Sequence, residues 1–180
     1  IRDYKVTGVQ TCALPIYLPT PTILAGNTAF DTKLYTGNGS TQTISGLAFS
    51  PDLVWIKARS VAYGHRLLDV VRAATNALAS SSTAAEFTES SGLTAFSSSG
   101  FTLGSDVSYN ENTSTYTAWC WDAGSSTVTN TAGSITSTVR ANSSAGFSIV
   151  TYTAASGTNT IGHGLNVAPS LIINKRRRSE

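Results

Sequence analysis

Charged residues are scarce in this chain: Asp, Glu, Lys and Arg make up only 12% of its 180 residues, and methionine is absent. Intrinsic disorder is excluded, because the low charge is combined with 41% hydrophobic and 9% aromatic residues. No apolar run approaches the roughly 20 residues that a bilayer-spanning helix needs, so no membrane insertion is expected. The length leaves room for one ordinary domain with a sizeable core, or for a domain plus a fragment.

Small hydroxylic residues are abundant, whereas strong helix formers are few. The chain contains 25 Ser, 26 Thr, 15 Gly and 10 Asn residues. Ser competes with the helix backbone for hydrogen bonds, and β-branched Thr fits a pleated surface better than a helix. The composition therefore predicts an all-β fold.

The two ends of the chain look foreign to the rest. Residues 6–16 read VTGVQTCALPI, which resembles the translation of a common short-read sequencing adapter, and residues 1–3 fit the adapter codons upstream. Residues 178–180 fit the start of its reverse complement. A signal peptide is disfavoured because the apolar stretch is short and is broken by Pro15. We expect residues 1–16 and 178–180 to be adapter-derived artefacts around an internal gene fragment.

Without these ends, nine basic and eight acidic residues remain, for a net charge of +1. This balance gives no electrostatic basis for binding nucleic acid. Cys12 belongs to the expected adapter-derived end, so Cys120 is the one cysteine left and has no partner for an intrachain disulfide. We expect Cys120 to be a small buried apolar residue. His65 and His163 have no second ligand at metal-binding spacing, so no cofactor is expected.

Strand and turn signals divide the rest of the chain. Two prolines make residues 17–27 an extended linker. The Asn38–Gly39 pair predicts a tight hairpin between strands at 34–36 and 40–44. The most apolar run, at 53–59, predicts a central strand.

Other segments are also typical of strands. Residues 115–121 place Trp119 and Trp121 on one face of a strand and Ala118 and Cys120 on the other. The run at 67–78 has helical spacing but also suits two strands around a turn, which we favour. Further strands are predicted at 93–96, 100–103, 127–140 and 146–153, and a polar loop at 80–91.

An internal repeat relates the two ends of this β-rich region. Matches at a separation of 117 residues pair Phe30, Tyr35 and Ile44 with Phe147, Tyr152 and Ile161. After one inserted residue, Gly46, Leu47, Pro51 and Lys57 match Gly164, Leu165, Pro169 and Lys175 at a separation of 118. The repeat predicts one complete unit at 28–146 and the opening strands of a truncated second unit at 147–177.

Several motifs resemble a repeat domain of tail-fibre-like structural proteins of tailed bacteriophages, especially marine ones. They are YTGNGS at 35–40, FSPDLVWIK at 49–57, GFTLG at 100–104, TYTAWCW at 115–121 and GHGL at 162–165. The resemblance covers residues 28–177 and transfers no established catalytic or binding residue. It implies a virion-associated or extracellular protein that associates with identical chains and other tail proteins. By analogy we expect an antiparallel β-sandwich of the lectin-like or jelly-roll type.

Candidate binding residues come from aromatic and oxygen-bearing side chains. Tyr109, Tyr116, Trp119 and Trp121 are candidates for stacking against the sugar rings of a host-surface glycan. Trp55 is expected to pack in the core, the commoner fate of Trp in strands. The clustered oxygen ligands of Asp106, Asn110, Glu111 and Asn112 predict a calcium site, although their spacing does not match an EF-hand loop.

No catalytic group stands out. A glycosidase needs two carboxyl groups about 5–10 Å apart across a cleft, and no hydrolase motif surrounds any pair of acids. No Ser lies in a G-x-S-x-G context. The sequence favours a non-enzymatic structural repeat of a phage tail-fibre-like virion protein that contributes to host-surface recognition. A lectin-like carbohydrate-binding module of a secreted or surface bacterial protein is the alternative, and an accessory domain of a glycan-degrading enzyme ranks third.

Overall fold

The structure, a computed structural model, describes residues 26–175, and almost all of its regular secondary structure is β. The predicted adapter-derived ends and all but the last two residues of the predicted linker lie outside the described residues. The strands are β1 Phe30–Thr36, β2 Gln42–Ile44, β3 Leu53–Ala58, β4 Arg66–Asp69, β5 Asn76–Ala77, β6 Phe87–Thr88, β7 Leu93–Ser97, β8 Gly100–Leu103, β9 Thr115–Trp121, β10 Thr127–Asn130, β11 Ser137–Asn142 and β12 Phe147–Tyr152, with a 3-10 turn at Gly26–Thr28 and helix α1 at Val107–Asn110. The predicted all-β, sandwich-like fold is confirmed.

Strand β9 lies inside an antiparallel large sheet with the order β1-β9-β3-β4. It pairs with β1 from Phe30 opposite Trp121 to Thr36 opposite Thr115, and with β3 on its other side. The predicted strand at 115–121 coincides with β9, and the run at 53–59 forms the interior strand β3. The run at 67–78 contributes to strands β4 and β5, as favoured.

The main core lies between the inner face of the large sheet and a second sheet with the order β2-β8-β7. Alternation on β9 sends Tyr116, Ala118 and Cys120 inward, and all three are completely buried. They pack in one cluster with Phe101 and Leu103 of β8, also completely buried. Each large apolar side chain removed from water in this way stabilises the fold by about 1.5–3 kcal/mol.

The predicted hairpin between β1 and β2 does not form. Strand β1 pairs with β9 in the large sheet, whereas β2 pairs with β8 in the second sheet. The connection binds residues near α1: the Gly37 N–H donates to the Ser114 carbonyl at 2.8 Å, and the Gly39 N–H donates to the Asn110 carbonyl at 2.8 Å. Because these contacts use the backbone of the connection, β1 and β2 do not pair with each other, and the Asn-Gly segment crosses from the large sheet to the second sheet.

Two features of this crossing require particular residues. Gly37 is buried, and a Cβ there would overlap the Glu111 carbonyl oxygen. The completely buried Asn110 side chain accepts the Asn38 N–H at 2.9 Å, and its amide donates to the carbonyls of Ser40 and of Gly104, the latter at 2.8 Å. One amide therefore ties the connection at 38–40 to the segment around Gly104 and Asn110, about 70 residues further along the chain.

A third sheet with the order β10-β11-β12 is attached beyond the end of β9. Val139 on its β11 is 1% exposed and packs near the segment that carries the buried Leu165. This sheet joins β11 and β12, which lie on either side of the predicted unit boundary at residue 146. The division of the chain into units stays a prediction. No helix among the described residues has the length and apolar character needed to cross a membrane.

Replacing Asn110 tests the crossing between the sheets. Asn110→Ala leaves the Asn38 N–H and two carbonyls without their partner, so we expect the free energy of unfolding to fall by about 2–4 kcal/mol. Urea denaturation followed by tryptophan fluorescence measures this loss. The control is Asn112→Ala at the exposed neighbouring Asn, with an expected change within about 0.5 kcal/mol. Equal losses in the two variants would contradict the role of Asn110.

Candidate functional site

An aromatic surface covers part of the outer side of the large sheet. Trp119 of β9 lies opposite Trp55 of β3, with ring centroids 5.9 Å apart in an edge-to-face arrangement. Trp121 lies opposite Phe30 of β1 at 4.9 Å, and Phe147 of β12 stacks on Trp121 at 5.8 Å with an interplanar angle of 18°. We call Phe30, Trp55, Trp119, Trp121 and Phe147 together the tryptophan face.

The tryptophan face is open to solvent. Phe30 is 40% exposed, and the other four side chains are partly exposed. The expectation that Trp55 packs in the core is wrong, because β3 alternation directs its neighbours Val54 and Ile56 inward and Trp55 outward. The Trp55 Nε1–H donates to His65 Nδ1 at 2.9 Å, which fixes the indole against the sheet.

The two tyrosines predicted to stack on sugars cannot do so. Tyr109 and Tyr116 are completely buried, and neither ring offers a face to a ligand. The Tyr109 hydroxyl contacts the Glu89 carboxylate, and the Tyr116 hydroxyl donates to the Val107 carbonyl at 2.6 Å. Burial raises the pKa of both phenols. Of the predicted sugar-stacking residues, Trp119 and Trp121 alone remain.

Three of the four residues predicted to bind calcium already have hydrogen-bond partners in the fold. Asp106 caps α1 by accepting the Ser108 N–H at 2.8 Å, and the Asn110 side chain serves the crossing between the sheets. Glu111 accepts the Tyr63 hydroxyl at 3.0 Å and the Ser114 hydroxyl at 2.6 Å, while Asn112 is exposed. The fold already uses the side-chain oxygens of Asp106, Asn110 and Glu111, and the calcium site stays a prediction. Within residues 26–175, no three His, Cys, Asp or Glu side chains are grouped to hold a metal ion.

Cys120 is buried in the core, and both histidines accept hydrogen bonds within the fold. Cys120 is completely buried, as expected, and burial raises the pKa of its thiol to about 12. Burial, reinforced by the charge of Lys57, lowers the pKa of His65. The neutral imidazole is therefore favoured, and its Nδ1 accepts the hydrogen bond from the Trp55 N–H. His163 Nδ1 accepts the Leu165 N–H at 3.2 Å inside its turn.

Comparison with known protein families identifies the family of this chain. A family model for a domain of unknown function, DUF7483, matches residues 26–180. The chain belongs to the DUF7483 family. No curated protein and no solved structure matches it. The matched region contains the whole tryptophan face, including Phe147 from the third sheet.

A buried ion pair attaches the third sheet to the rest of the DUF7483 domain. Asp52, 1% exposed, places Oδ1 2.8 Å from Arg140 Nε of β11, while its Oδ2 accepts the Ala123 N–H at 2.7 Å. The Arg140 Nε–H is not aligned with the oxygen, so this contact is an ion pair and not a hydrogen bond. The Asn142 amide adds a 3.0 Å bond to Asp122. These contacts hold the third sheet where Phe147 reaches Trp121.

A shallow depression beside this junction is smaller than a typical ligand pocket. It is lined by Ser50, Asp122, Gly124, Ser125 and Arg140 and encloses about 250 Å³. Small-molecule sites usually enclose roughly 300–1,000 Å³. The tryptophan face is therefore the better candidate site in the DUF7483 domain.

Sequence reasoning missed three members of the site. Phe30 and Phe147 were not predicted as ligand-binding residues because a sequence does not show which strands become neighbours, and Trp55 was expected to pack in the core. One signal was present: the internal repeat matches Phe30 with Phe147, and these two rings lie on Trp121.

The ion pair at the junction gives stability a defined pH dependence. Burial raises the pKa of Asp52 to about 6, against the lowering effects of the Ala123 N–H and Arg140. An acid with a raised folded pKa contributes stability that is complete below its ordinary pKa of 3.8 and is lost as the pH rises through about 6. We therefore expect the unfolding free energy of the native domain, minus that of Asp52→Asn, to fall by roughly 2–3 kcal/mol between pH 4 and pH 7.

Urea denaturation of both proteins at several pH values measures this difference. Taking the difference cancels the titration of groups that the two proteins share. A difference that stays constant, or that grows with pH, would show that the pKa of Asp52 is not raised in the folded domain.

Proposed function

We propose that this domain is a non-enzymatic structural module of a tail-fibre-like virion protein, and that it contacts a host-surface glycan through the tryptophan face. The observation that carries the proposal is the row of partly exposed indoles on the outside of the large sheet. The apolar faces of sugar rings stack on such aromatic surfaces, and the paired strands hold the rings at fixed spacings. Exposed aromatic patches on a sheet are typical of binding surfaces.

The acidic residues support a non-enzymatic role, because each one described is used by the fold. Every carboxylate among residues 26–175 accepts a hydrogen bond or pairs with a basic side chain. These acids are Asp31, Asp52, Asp69, Glu86, Glu89, Asp106, Glu111 and Asp122. Glycoside hydrolysis requires two carboxyl groups that reach the substrate.

The resemblance to tail-fibre repeats supports the structural part of the proposal, and so do conformations at matched repeat positions. Gly46 and Gly164 both have positive φ, at 87° and 74°, a conformation that favours glycine. The residues that follow them, Leu47 and Leu165, are both buried, at 5% and 6% exposure. Related local structures thus occur at both ends of the described chain.

One exposed apolar segment supports association with identical chains. Leu171, Ile172 and Ile173 are 77%, 74% and 63% exposed. In the repeat they match Leu53, Val54 and Trp55 of β3, which lies between two strands. Within the described residues this segment has the sequence of an interior strand but forms no strand, so it is suited to pairing with an identical chain or with the rest of the predicted second unit.

Changing this segment tests the association. We expect Leu171→Ser combined with Ile173→Ser to lower self-association at least about threefold without changing the unfolding midpoint, because both side chains are exposed. Sedimentation velocity over a concentration series measures the association. Val128→Ser, at a 52% exposed position on β10, is the control and should leave it unchanged. An entirely monomeric native chain would contradict the proposed association.

A carbohydrate-binding module of a secreted or surface bacterial protein is the second candidate, because the tryptophan face would serve it equally well. The two candidates differ in the setting of the parent gene. Neighbouring virion genes favour the tail-fibre module, whereas a signal peptide with an anchoring or catalytic domain favours the bacterial module.

Removing Trp119 tests the glycan contact. Affinity electrophoresis through gels containing laminarin, dextran, alginate or κ-carrageenan measures retardation of the domain. We expect at least one polysaccharide to retard it, and Trp119→Ala to weaken that binding about tenfold or more, as for a central aromatic contact residue.

Tyr152→Ala is the matched control, since Tyr152 is an aromatic residue of the third sheet with 39% exposure and lies outside the tryptophan face. It should leave the retardation unchanged. Absence of retardation in every gel, or equal retardation of Trp119→Ala and the native domain, would overturn the proposed contact.

A further inference from the structure

Two basic residues, one on strand β3 and one directly after its end, extend the tryptophan face. Lys57 lies two residues beyond Trp55, on the same outward alternation, and is opposite Thr117 of β9. Arg59 follows at the next outward position, where its N–H donates to the Thr115 carbonyl at 2.7 Å. Alternate residues of a strand are about 7 Å apart, so the backbone of Lys57 lies one such step from Trp55, and Arg59 follows directly after the end of β3.

These two cations have no carboxylate partner among residues 26–175. The ion pairs of this region use Lys33, Arg66, Arg72 and Arg140. The Lys57 ammonium donates only to the neighbouring Ala58 carbonyl, at 2.7 Å, and Arg59 is exposed. An ammonium and a guanidinium both keep their charge at neutral pH.

Among the residues that the structure describes, no carboxylate pairs with these two cations on the outer side of the large sheet. Asp69 of β4 lies in an outward row, but its side chain is 4% exposed and is held by Arg72 at 2.6 Å. Asp31 of β1 points to the other side of the sheet and pairs with Lys33 at 2.9 Å. The basic end of the tryptophan face therefore carries uncompensated positive charge.

His65 contributes no charge to this surface at neutral pH. Its Nδ1 accepts a hydrogen bond from the Trp55 indole N–H, and burial together with the nearby Lys57 charge lowers the pKa of the imidazole. The positive charge of the site therefore comes from Lys57 and Arg59.

We infer that the glycan bound on the tryptophan face is an acidic polysaccharide, whose sugar rings stack on Trp119 and Trp55 while its carboxylate or sulfate groups pair with Lys57 and Arg59. This inference rests on the proposed function and specifies its ligand class. Stacking supplies the contact area, and the unpaired cations favour anionic chains over neutral chains of the same backbone.

Matched pairs of polysaccharides test the ligand class. The probes are κ-carrageenan against its chemically desulfated form, and polygalacturonate against its methyl ester, in affinity electrophoresis of the described domain. We expect at least one acidic form to bind about tenfold more tightly than its neutral counterpart, with the preference reduced in 0.5 M NaCl by charge screening.

Charge-removing variants identify the cations responsible. Lys57→Gln combined with Arg59→Gln should weaken binding of the acidic form about fivefold or more and leave binding of the neutral form unchanged. Lys33→Gln, which removes one positive charge from the opposite side of the sheet, is the control and should bind normally. An equal loss in Lys33→Gln would overturn the inference by showing attraction to net charge alone.

The outcomes separate the two proposals. If neutral and acidic forms bind equally and Trp119→Ala weakens both, the proposed glycan contact stands and the acidic preference is overturned. If neither form of either polysaccharide binds and laminarin, dextran and alginate also fail, both proposals are overturned. If the acidic form binds and Trp119→Ala has no effect, the stacking contact fails in both proposals.

Discussion

Pairing of β9 on both of its edges is the constraint on which the rest of the structure depends. Because β1 and β3 fix its register along the whole strand, its side chains have only two directions available. Tyr116, Ala118 and Cys120 complete the main core, while Trp119 and Trp121 are left on the outside. The same alternation therefore produces both the stability of the large sheet and the aromatic surface proposed to bind a glycan.

The few acidic side chains in the described region all make contacts within the fold. Carboxylates cap α1, join loops and attach the third sheet, as Asp106, Glu111 and Asp52 illustrate. A buried ion pair such as that of Asp52 with Arg140 adds little net stability, but it fixes which segments meet. Once the acids are committed to these contacts, the positive charges of Lys57 and Arg59 remain available to a ligand.

Strand periodicity was the part of the fold that the sequence revealed best. Composition predicted the all-β class, and alternation correctly located β3, β9 and the two faces of β9. The prediction of a hairpin at Asn38–Gly39 was wrong. The backbone of this turn forms hydrogen bonds with residues distant in sequence, namely the buried Asn110 amide and the backbone around it. Turn propensity describes a few neighbouring residues, whereas strand pairing is decided by contacts far along the chain.

The sequence by itself determined the fold class, the interior strands and the residues that share a face, because these follow from side-chain size, β-branching and a period of two. Tertiary structure decided which face meets water. Tyr109 and Tyr116 looked as suitable for sugar as Trp119 and Trp121, yet packing buries both tyrosines. Phe30 of β1 and Phe147 of β12 reach Trp121 only through strand order and the attachment of the third sheet. Exposure is a property of the assembled layers, and no local pattern in the chain encodes it.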